Sequence, residues 1–452
     1  MRSRSSESWR ARDRAVLWHP FTQQTLWNEE AFPVIAKGKG AWLEDVDGHK
    51  YLDGVSSLWC NIHGHGRPEI NRAMKAQLDR VAHATFLGMS NPPAIELGER
   101  LAAIAPKGLT RVFYSDNGST AVEVACKMAF QYWSQNGKPN KRKFVAFDAG
   151  YHGDTLGAVS LGGIDLFHGL FRPLLFPTIK APTTYAYRCD KSRTLAECGS
   201  HVLEEVEAIL RTHGRETAGL VVEPLVQGAG GMITQPPGFL KALRGLCDDY
   251  DVLLIADEVM TGFGRTGTMF ACEQEGVSPD LMALSKGLTN GYLPLAATLA
   301  TERIYAGFLG AFKDRRTFYH GHTYTGNPLA CAGALASLDI FRREKTLEKT
   351  AKKIHKFGNL LQEFYRIERV GEIRQCGLIA GIELVADPKT RAPFPWEART
   401  GHRVALEARK RGALLRPLGD TLVLMPPLAI SERDLSRLVD IALESVRAVL
   451  TN

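Results

Sequence analysis

Short apolar segments alternate with helix-like segments between residues 68 and 330. Six of these segments are rich in β-forming residues: Val112–Tyr114, Lys143–Phe147, Leu220–Glu223, Val252–Asp257, Leu281–Leu284 and Ala296–Ala300. Strands that are apolar at nearly every position are buried on both faces, which is typical of a parallel sheet with helices on each side. The pattern therefore predicts an α/β fold with a mainly parallel central sheet.

The pattern changes on both sides of this region. Residues 15–60 contain three β-like pieces and an Asp47-Gly48 turn, which predict a small antiparallel sheet. After residue 331 a long helical stretch precedes two β-like pieces, Leu378–Leu384 and Leu422–Met425, and a final amphipathic helix from about Glu432. We therefore predict a large domain over residues 68–330 and a small α+β domain made of residues 1–67 and 331–452.

Composition excludes several classes of protein. The 452 residues are 44% hydrophobic and carry a net charge of +7, with basic and acidic residues interspersed, so neither a nucleic-acid partner nor a membrane partner is expected. No apolar run approaches the roughly 18–20 residues that span a bilayer. The segment Met1–Arg14 lacks an apolar core and is interpreted as a frayed tail rather than a signal peptide. The eight cysteines form no CxxC pair, so a metal site is not predicted, and a soluble, cytoplasmic protein is expected.

One acid and one lysine end two of the apolar segments. Asp257 follows Val252–Ala256, and Lys286 follows Leu281–Leu284 and precedes Gly287. A buried carboxylate is unfavourable without a cationic partner. Pyridoxal 5′-phosphate (PLP) would use both side chains, since the acid keeps its ring nitrogen protonated and the amine forms a Schiff base with its aldehyde. Taken separately, an Asp at a strand end is usually a turn or helix cap and a lone Lys is usually a solvated charge.

Two polar turns could hold the rest of such a cofactor. Gly118 and Ser119 lie between a β-like run and a helical pattern, where free N–H groups favour a phosphate. Tyr151 is flanked by Gly150 and His152-Gly153, and its ring could stack on a flat cofactor. Ordinary helix capping and a loop histidine would give similar patterns.

With these motifs in place, the sequence resembles the class III aminotransferases, which have the fold-type I PLP architecture. The resemblance rests on Tyr151-His152-Gly153, Asp257-Glu258-Val259, Gly262–Gly267 and Ser285-Lys286-Gly287. Further motifs resemble the branch of 7,8-diaminopelargonic acid (8-amino-7-oxononanoate) aminotransferases of biotin synthesis: Trp18–Gln23, Asp53–Trp59, Ile62–His65, Tyr319–Thr323 and Leu415–Gly419. They occur in the family's order over more than nine-tenths of the chain.

The resemblance implies a role for each matched residue. It implies Lys286 as the Schiff-base lysine, Asp257 as the partner of the pyridine nitrogen and Tyr151 as the residue on the ring face. Gly118 and Ser119 match the phosphate-binding pair, and His322 and Thr323 match a segment that reaches the phosphate of the partner subunit in a homodimer. The matched substrate-binding residues are Phe21, Leu58, Trp59, Gly321 and Arg416, and Arg416 would bind the carboxylate of the keto substrate. Glu223 is a conjectural further member, since a glutamate at its position can pair with an active-site arginine.

Three positions bear on the amino donor. Relatives that use S-adenosylmethionine commonly have Tyr, Trp and Pro where this chain has Phe21, Leu58 and His322. This triplet resembles relatives that use L-lysine, so the resemblance favours L-lysine over S-adenosylmethionine. A different class III enzyme, such as an ω-amino acid:pyruvate or diamine aminotransferase, is the main alternative. A PLP-fold protein without activity is the other, and intact Lys286, Asp257 and Tyr151 argue against it.

Overall fold

The computed structural model describes residues 6–190 and 194–450. Within these residues the fold contains sixteen strands and fifteen α-helices, besides short 3-10 helices. The strands are β1 Ile35–Lys39, β2 Trp42–Asp45, β3 Lys50–Asp53, β4 Leu109–Ser115, β5 Lys143–Phe147, β6 Ile179–Ala181, β7 Thr217–Val222, β8 Val226–Gln227, β9 Ile233–Thr234, β10 Leu253–Asp257, β11 Leu281–Leu284, β12 Ala296–Thr301, β13 Val370–Cys376, β14 Ile379–Leu384, β15 Ala413–Leu414 and β16 Thr421–Leu424. The helices are α1 Ser6–Val16, α2 Gln24–Glu29, α3 Ser56–Trp59, α4 Pro68–Leu78, α5 Pro92–Ile104, α6 Gly118–Gln135, α7 Leu156–Leu161, α8 Asp165–His168, α9 Leu195–His213, α10 Phe239–Asp249, α11 Glu302–Ala306, α12 Pro328–Glu344, α13 Thr346–Leu361, α14 Thr400–Lys410 and α15 Glu432–Leu450.

The central sheet has seven strands in the order β4-β12-β11-β10-β7-β5-β6. All neighbouring pairs from β11 to β6 are parallel, whereas β12 is antiparallel to both β11 and β4. Every residue of β7, β10 and β11 is buried, as expected for strands covered on both faces. The predicted α/β fold with a mainly parallel sheet is confirmed.

Three smaller sheets lie outside the central one, and the shortest of them is the antiparallel pair β8-β9. The predicted antiparallel β1-β2-β3 arrangement is present, and β15 adds to it in parallel with β3. The C-terminal sheet, β13-β14-β16, contains one strand that was not predicted, because β13 is amphipathic and only partly buried. The pairing of β15 with β3 joins distant parts of the chain next to the strand end at Asp53. The domain limits at residues 67 and 330 remain a prediction.

The interpretation of Met1–Arg14 as a frayed tail is wrong for its described part. Residues from Ser6 onwards form α1, and Met1–Ser5 lie outside the described residues. Arg10 Nε donates to Phe32 O at 2.8 Å, and Arg14 Nη2 donates to Glu30 O at 3.0 Å. Arg10 and Arg14, part of the composition that suggested an unstructured tail, therefore hold α1 against the segment before β1 by hydrogen bonds.

One cluster of buried apolar residues runs from the central sheet and its helices into the C-terminal sheet and helices, and a second packs between α6 and the central sheet. None of the eight cysteines, all of which are among the described residues, forms a disulfide. Among residues 6–190 and 194–450, no helix combines the length and the apolar character needed to cross a bilayer.

Candidate active site

Asp257 and Lys286 meet at one edge of the central sheet. Asp257 is the last residue of β10 and pairs with Ala283 of the parallel strand β11, three residues before Lys286. Because parallel strands direct their carboxyl ends to the same edge, both side chains reach the crevice where open α/β sheets bind ligands. The sequence-predicted pair is therefore brought together by strand pairing.

A cavity of about 800 Å³ opens at this edge. Seven of the predicted site residues line it: Leu58, Trp59, Gly118, Ser119, Tyr151, Asp257 and Lys286. A volume of this size lies within the range of cofactor and substrate pockets.

Asp257 is buried and held from two sides. Its Oδ2 accepts a hydrogen bond from His152 Nδ1 at 2.7 Å, and its Oδ1 accepts one from Val259 N at 3.1 Å. Both Asp257 and His152 are 4% exposed. No role was predicted for His152, although its place beside Tyr151 in a Gly-flanked turn was a signal that it lies in the site.

Lys286 lines the cavity, and its amine lies over the Trp59 ring, 4.7 Å from the ring centroid. Burial lowers the pKa of Lys286, while the negative charges of Asp257 and Glu223 act in the opposite direction. A lower pKa provides more of the neutral amine, which is the form that attacks a carbonyl carbon. Lys286 also has a φ of 42°, so the backbone turns sharply where the side chain enters the site.

The N-terminus of α6 faces the same cavity. Asn117 and Thr120 form a capping box, each bonding the backbone N–H of the other, whereas Gly118 and Ser119 occupy the first turn, where a helix has no acceptor of its own. A Cβ at Gly118 would lie 2.6 Å from Val259 Cγ1, and one at Gly153 would lie 1.8 Å from Ser119 Oγ. The two glycines therefore allow the helix to approach the strand end of Asp257 and the loop that follows Tyr151.

Two carboxylates hold Tyr151. Glu223 Oε1 accepts from Tyr151 N at 3.0 Å, and the Tyr151 hydroxyl donates to Asp154 Oδ2 at 2.7 Å. Glu223 Oε2 also accepts from Gly228 N at 2.8 Å, and no arginine among the described residues lies within ion-pair distance of Glu223. Burial raises the pKa of Glu223 to about 7, against the opposing effect of His152. Glu223 is thus held by main-chain N–H groups rather than by the conjectured arginine.

The combination fits PLP by the chemistry of its groups. The free N–H groups at the start of an 18-residue helix suit a phosphate, and the close approach that Gly118 and Gly153 permit forms the cradle. A buried carboxylate suits a protonated ring nitrogen, and a buried amine suits an aldehyde.

The remaining predicted residues are not in the cavity wall. Phe21 packs edge-on against Phe167 at 5.3 Å between ring centroids, and Phe167 in turn lies 6.4 Å from Tyr151. His322 Nδ1 lies 2.9 Å from the carboxylate of Asp116, a cavity residue. The other three, Gly321, Thr323 and Arg416, are exposed in loops.

Comparison with known proteins places the chain among aminotransferases. Residues 25–446 match the family "Aminotransferase class-III". The chain is 58% identical over 438 residues to the adenosylmethionine-8-amino-7-oxononanoate aminotransferase of Geobacter sulfurreducens, covering 97% of each protein. The crystal structure of the enzyme of that name from Methanocaldococcus jannaschii superposes with a TM-score of 0.93 at 43% identity, covering 98% of this chain and 100% of the other.

A further solved structure is an amine transaminase from an uncultivated Pseudomonas species in a PLP-bound form. It is 39% identical, with a TM-score of 0.91, and the match covers 96% of this chain and 98% of the other. Class III aminotransferases depend on PLP, so the cofactor prediction is confirmed. By sequence, by fold and by the residues gathered at the sheet edge, the chain belongs to the class III aminotransferase family.

Proposed function

We propose that this aminotransferase converts 8-amino-7-oxononanoate to 7,8-diaminononanoate, a step of biotin biosynthesis. The observation that carries the proposal is the 58% identity over nearly the full chain to a relative named for that substrate. The cavity that contains Lys286, Asp257 and Tyr151 supplies the groups that amino transfer needs. Purified protein incubated with 8-amino-7-oxononanoate and an amino donor should form 7,8-diaminononanoate, and no product with any donor would contradict the proposal.

PLP, when bound, supplies an aldehyde for the substrate amine and a ring that delocalises a negative charge. Lys286 would hold it covalently and, once displaced by a substrate amine, would carry the proton between the two carbon atoms that exchange it. Asp257 would keep the ring nitrogen protonated, and His152 orients that carboxylate through its 2.7 Å hydrogen bond. Gly118 and Ser119 would bind the phosphate through backbone N–H groups, and Tyr151 would cover the ring.

Arg416 is the residue proposed to bind the carboxylate of the keto substrate. It is exposed, and no acid among the described residues forms an ion pair with it. It follows β15, whose Leu414 pairs with Asp53 at the end of β3, and β3 leads to the cavity residues Leu58 and Trp59. The pairing supports the proposal, because it brings the chain just before Arg416 next to the strand that leads to the cavity residues.

A second candidate is an amine transaminase acting on other amino compounds. The 39% identity and the TM-score of 0.91 to the Pseudomonas enzyme support it. Turnover of simple amines with pyruvate, without turnover of 8-amino-7-oxononanoate, would favour this candidate.

For the amino donor we propose L-lysine and expect its kcat/KM to exceed that of S-adenosylmethionine. Leu58 lines the cavity at a position where an indole would offer a cation–π surface to a sulfonium ion, a contact worth roughly 0.5–2 kcal/mol. Its absence alone lowers S-adenosylmethionine use by about 2- to 30-fold, since 1.4 kcal/mol corresponds to tenfold. Steady-state rates with each donor at a fixed acceptor concentration test the proposal.

The Leu58→Trp variant makes that donor comparison specific. It should raise kcat/KM for S-adenosylmethionine relative to L-lysine, whereas Leu78→Trp, at an equally exposed leucine of α4 outside the cavity, should leave the ratio unchanged. A wild-type preference for S-adenosylmethionine would refute the proposed donor.

We further propose that the active unit is a homodimer with shared sites. Two segments, residues 87–89 and 309–324, expose large apolar side chains: Leu87, Met89, Leu309, Phe312, Tyr319 and Tyr324. Exposed apolar patches of this kind are typical of protein–protein interfaces. The second segment also contacts the chain a few residues before the first, since the His83 and Tyr324 rings are 5.0 Å apart. The second of these segments carries Thr323, the residue proposed to contact the partner's phosphate.

Mixed dimers test the shared site. Lys286→Ala and Thr323→Asp subunits should each be inactive, while a random 1:1 mixture should recover about one quarter of wild-type activity, because half of the dimers have one undamaged site of two. Two affinity tags allow purification of the mixed dimers. Mixed dimers that form and remain inactive would contradict the arrangement, as would full activity in a monomer.

A further inference from the structure

The turn that carries Leu58 and Trp59 into the cavity has a strained backbone. Ser56, Ser57 and Trp59 have φ values of 53°, 62° and 65°, a region that non-glycine residues rarely adopt. Ser57, with ψ of −77°, has the conformation of a γ-turn with positive φ, which is rare. Such conformations are unfavourable for non-glycine residues and persist only where their surroundings hold them.

Asp53 supplies that support for Ser57. Its Oδ1 accepts from Ser57 N at 2.7 Å, and its Oδ2 accepts from Ser57 Oγ at 3.1 Å and from His65 Nε2 at 2.8 Å. The Asp53 side chain is 1% exposed. A buried carboxylate with three donors is rigid, because losing any one of them leaves it less compensated.

The neighbouring hydrogen bonds determine which nitrogen of His65 carries a proton. Asn61 Oδ1 accepts from Gly64 N at 2.7 Å, so its amide nitrogen is the atom that faces His65 Nδ1 at 3.0 Å. Nδ1 therefore accepts, and the proton of the imidazole is on Nε2, which donates to Asp53. His65 is itself fixed by backbone bonds to Gly40 in both directions.

The far side of the turn is fixed by tight packing. Gly54 N donates to Leu414 O at 3.0 Å, and a Cβ at Gly54 would lie 2.5 Å from Leu415 Cδ2. Ser56 Oγ donates to Met425 O at 2.7 Å. Ser57 therefore lies between a packed segment and the two residues that line the cavity.

We propose that Asp53, supported by His65, is a positioning residue that holds Ser57 in its strained conformation and thereby places Leu58 and Trp59 beside Lys286. Trp59 lies with its ring centroid 4.7 Å from Lys286 Nζ, so a relaxed turn would withdraw a wall of the site from the reacting amine. The inference rests on the proposed assignment of this cavity as the site of amino transfer.

Asp53→Ala is the direct test, and Asp45→Ala is its matched control. Asp45, at the end of β2, is also buried and accepts from Tyr51 Oη and from two backbone N–H groups, but it is outside the cavity wall. Asp53→Ala should lower kcat/KM by about 100-fold, because a displacement of order 1 Å at a reacting centre has an effect of this size. Both a lower kcat and a higher KM for the amino donor should contribute. Asp45→Ala should lower the melting temperature and leave both kinetic constants within about twofold of wild type. Equal kinetic losses in the two variants would overturn the proposal.

Ser57→Gly provides a rescue that a merely structural role of Asp53 would not show. Glycine adopts positive φ without strain, so it removes the need for the carboxylate. In the Asp53→Ala background it should restore kcat/KM by about tenfold or more, a coupling of the size seen between contacting residues. No recovery in a folded double variant would overturn the proposal.

His65→Ala decides the question if Asp53→Ala does not fold. It retains the carboxylate and its two bonds to Ser57 but removes the third donor, so kcat/KM should fall by about 3- to 10-fold because the carboxylate is held less firmly. Unchanged kinetics in this variant would overturn the proposal. All comparisons are made with whichever acceptor the wild type turns over, so failure of the assignment to 8-amino-7-oxononanoate would leave them intact.

Discussion

Replacing Lys286 with alanine should reduce transamination by on the order of 10³-fold or more, because the residue is the only proposed covalent anchor and proton carrier of the site. The protein should remain folded. Among the described residues Lys286 Nζ makes no hydrogen bond or ion pair, and it forms a cation–π contact with the ring of Trp59. The variant should also lose the yellow absorbance that PLP acquires when bound to a lysine amine. Absorbance spectra, thermal unfolding and initial rates on the same preparation measure all three effects.

Lys141 provides a matched control for the Lys286 variant. It is also a buried lysine, but its amine donates to Gly214 O, Thr217 O and Asp251 O far from the cavity. Lys141→Ala should therefore destabilise the fold by about 1–3 kcal/mol through unsatisfied carbonyl groups, while the absorbance and the turnover per folded molecule remain. If Lys286→Ala retained near wild-type turnover, the assignment of the lysine would be wrong.

The parts of the site that the sequence predicted are those fixed by local pattern and by strand pairing. Asp257 and Lys286 each end an apolar strand, and in a parallel sheet the ends of neighbouring strands meet, so their proximity followed from two short segments. Gly118 and Ser119 were predicted in the same way, from a strand followed by a helix.

The parts that were missed depend on side-chain contacts between residues distant in sequence. The bond between His152 and Asp257 joins residues 105 apart, and the contact between Phe21 and Phe167 links the N-terminal segment to the loop beyond Tyr151. No periodicity encodes such contacts, because they depend on how separate elements pack. The strained turn at Ser57 was also invisible, since serine carries no signal for positive φ.

The Asp257→Asn variant should lose on the order of 10²- to 10³-fold in kcat, because the substitution removes a fixed charge while it preserves shape. An amide of the same size can still accept from Val259 N, so the end of β10 should keep its conformation. It carries no negative charge, however, and cannot keep a proton on the ring nitrogen of PLP, which then accepts electron density poorly. The cofactor should also dissociate more readily, which dialysis followed by absorbance measures independently of activity.

Asp280→Asn is the control that separates charge at the site from charge in the sheet. Asp280 is 7% exposed and precedes β11, at the opposite edge of the sheet, where it binds Arg244, Arg303 and Leu254 N. Its substitution should lower thermal stability, because two arginines lose a charged partner, and should leave kcat and cofactor retention close to wild type. Since both acids are buried next to adjacent strands, Asp257 at the end of β10 and Asp280 before the start of β11, a similar kinetic loss in the two variants would mean that Asp257 acts through the fold. A loss confined to Asp257→Asn would assign the effect to its negative charge in the cavity.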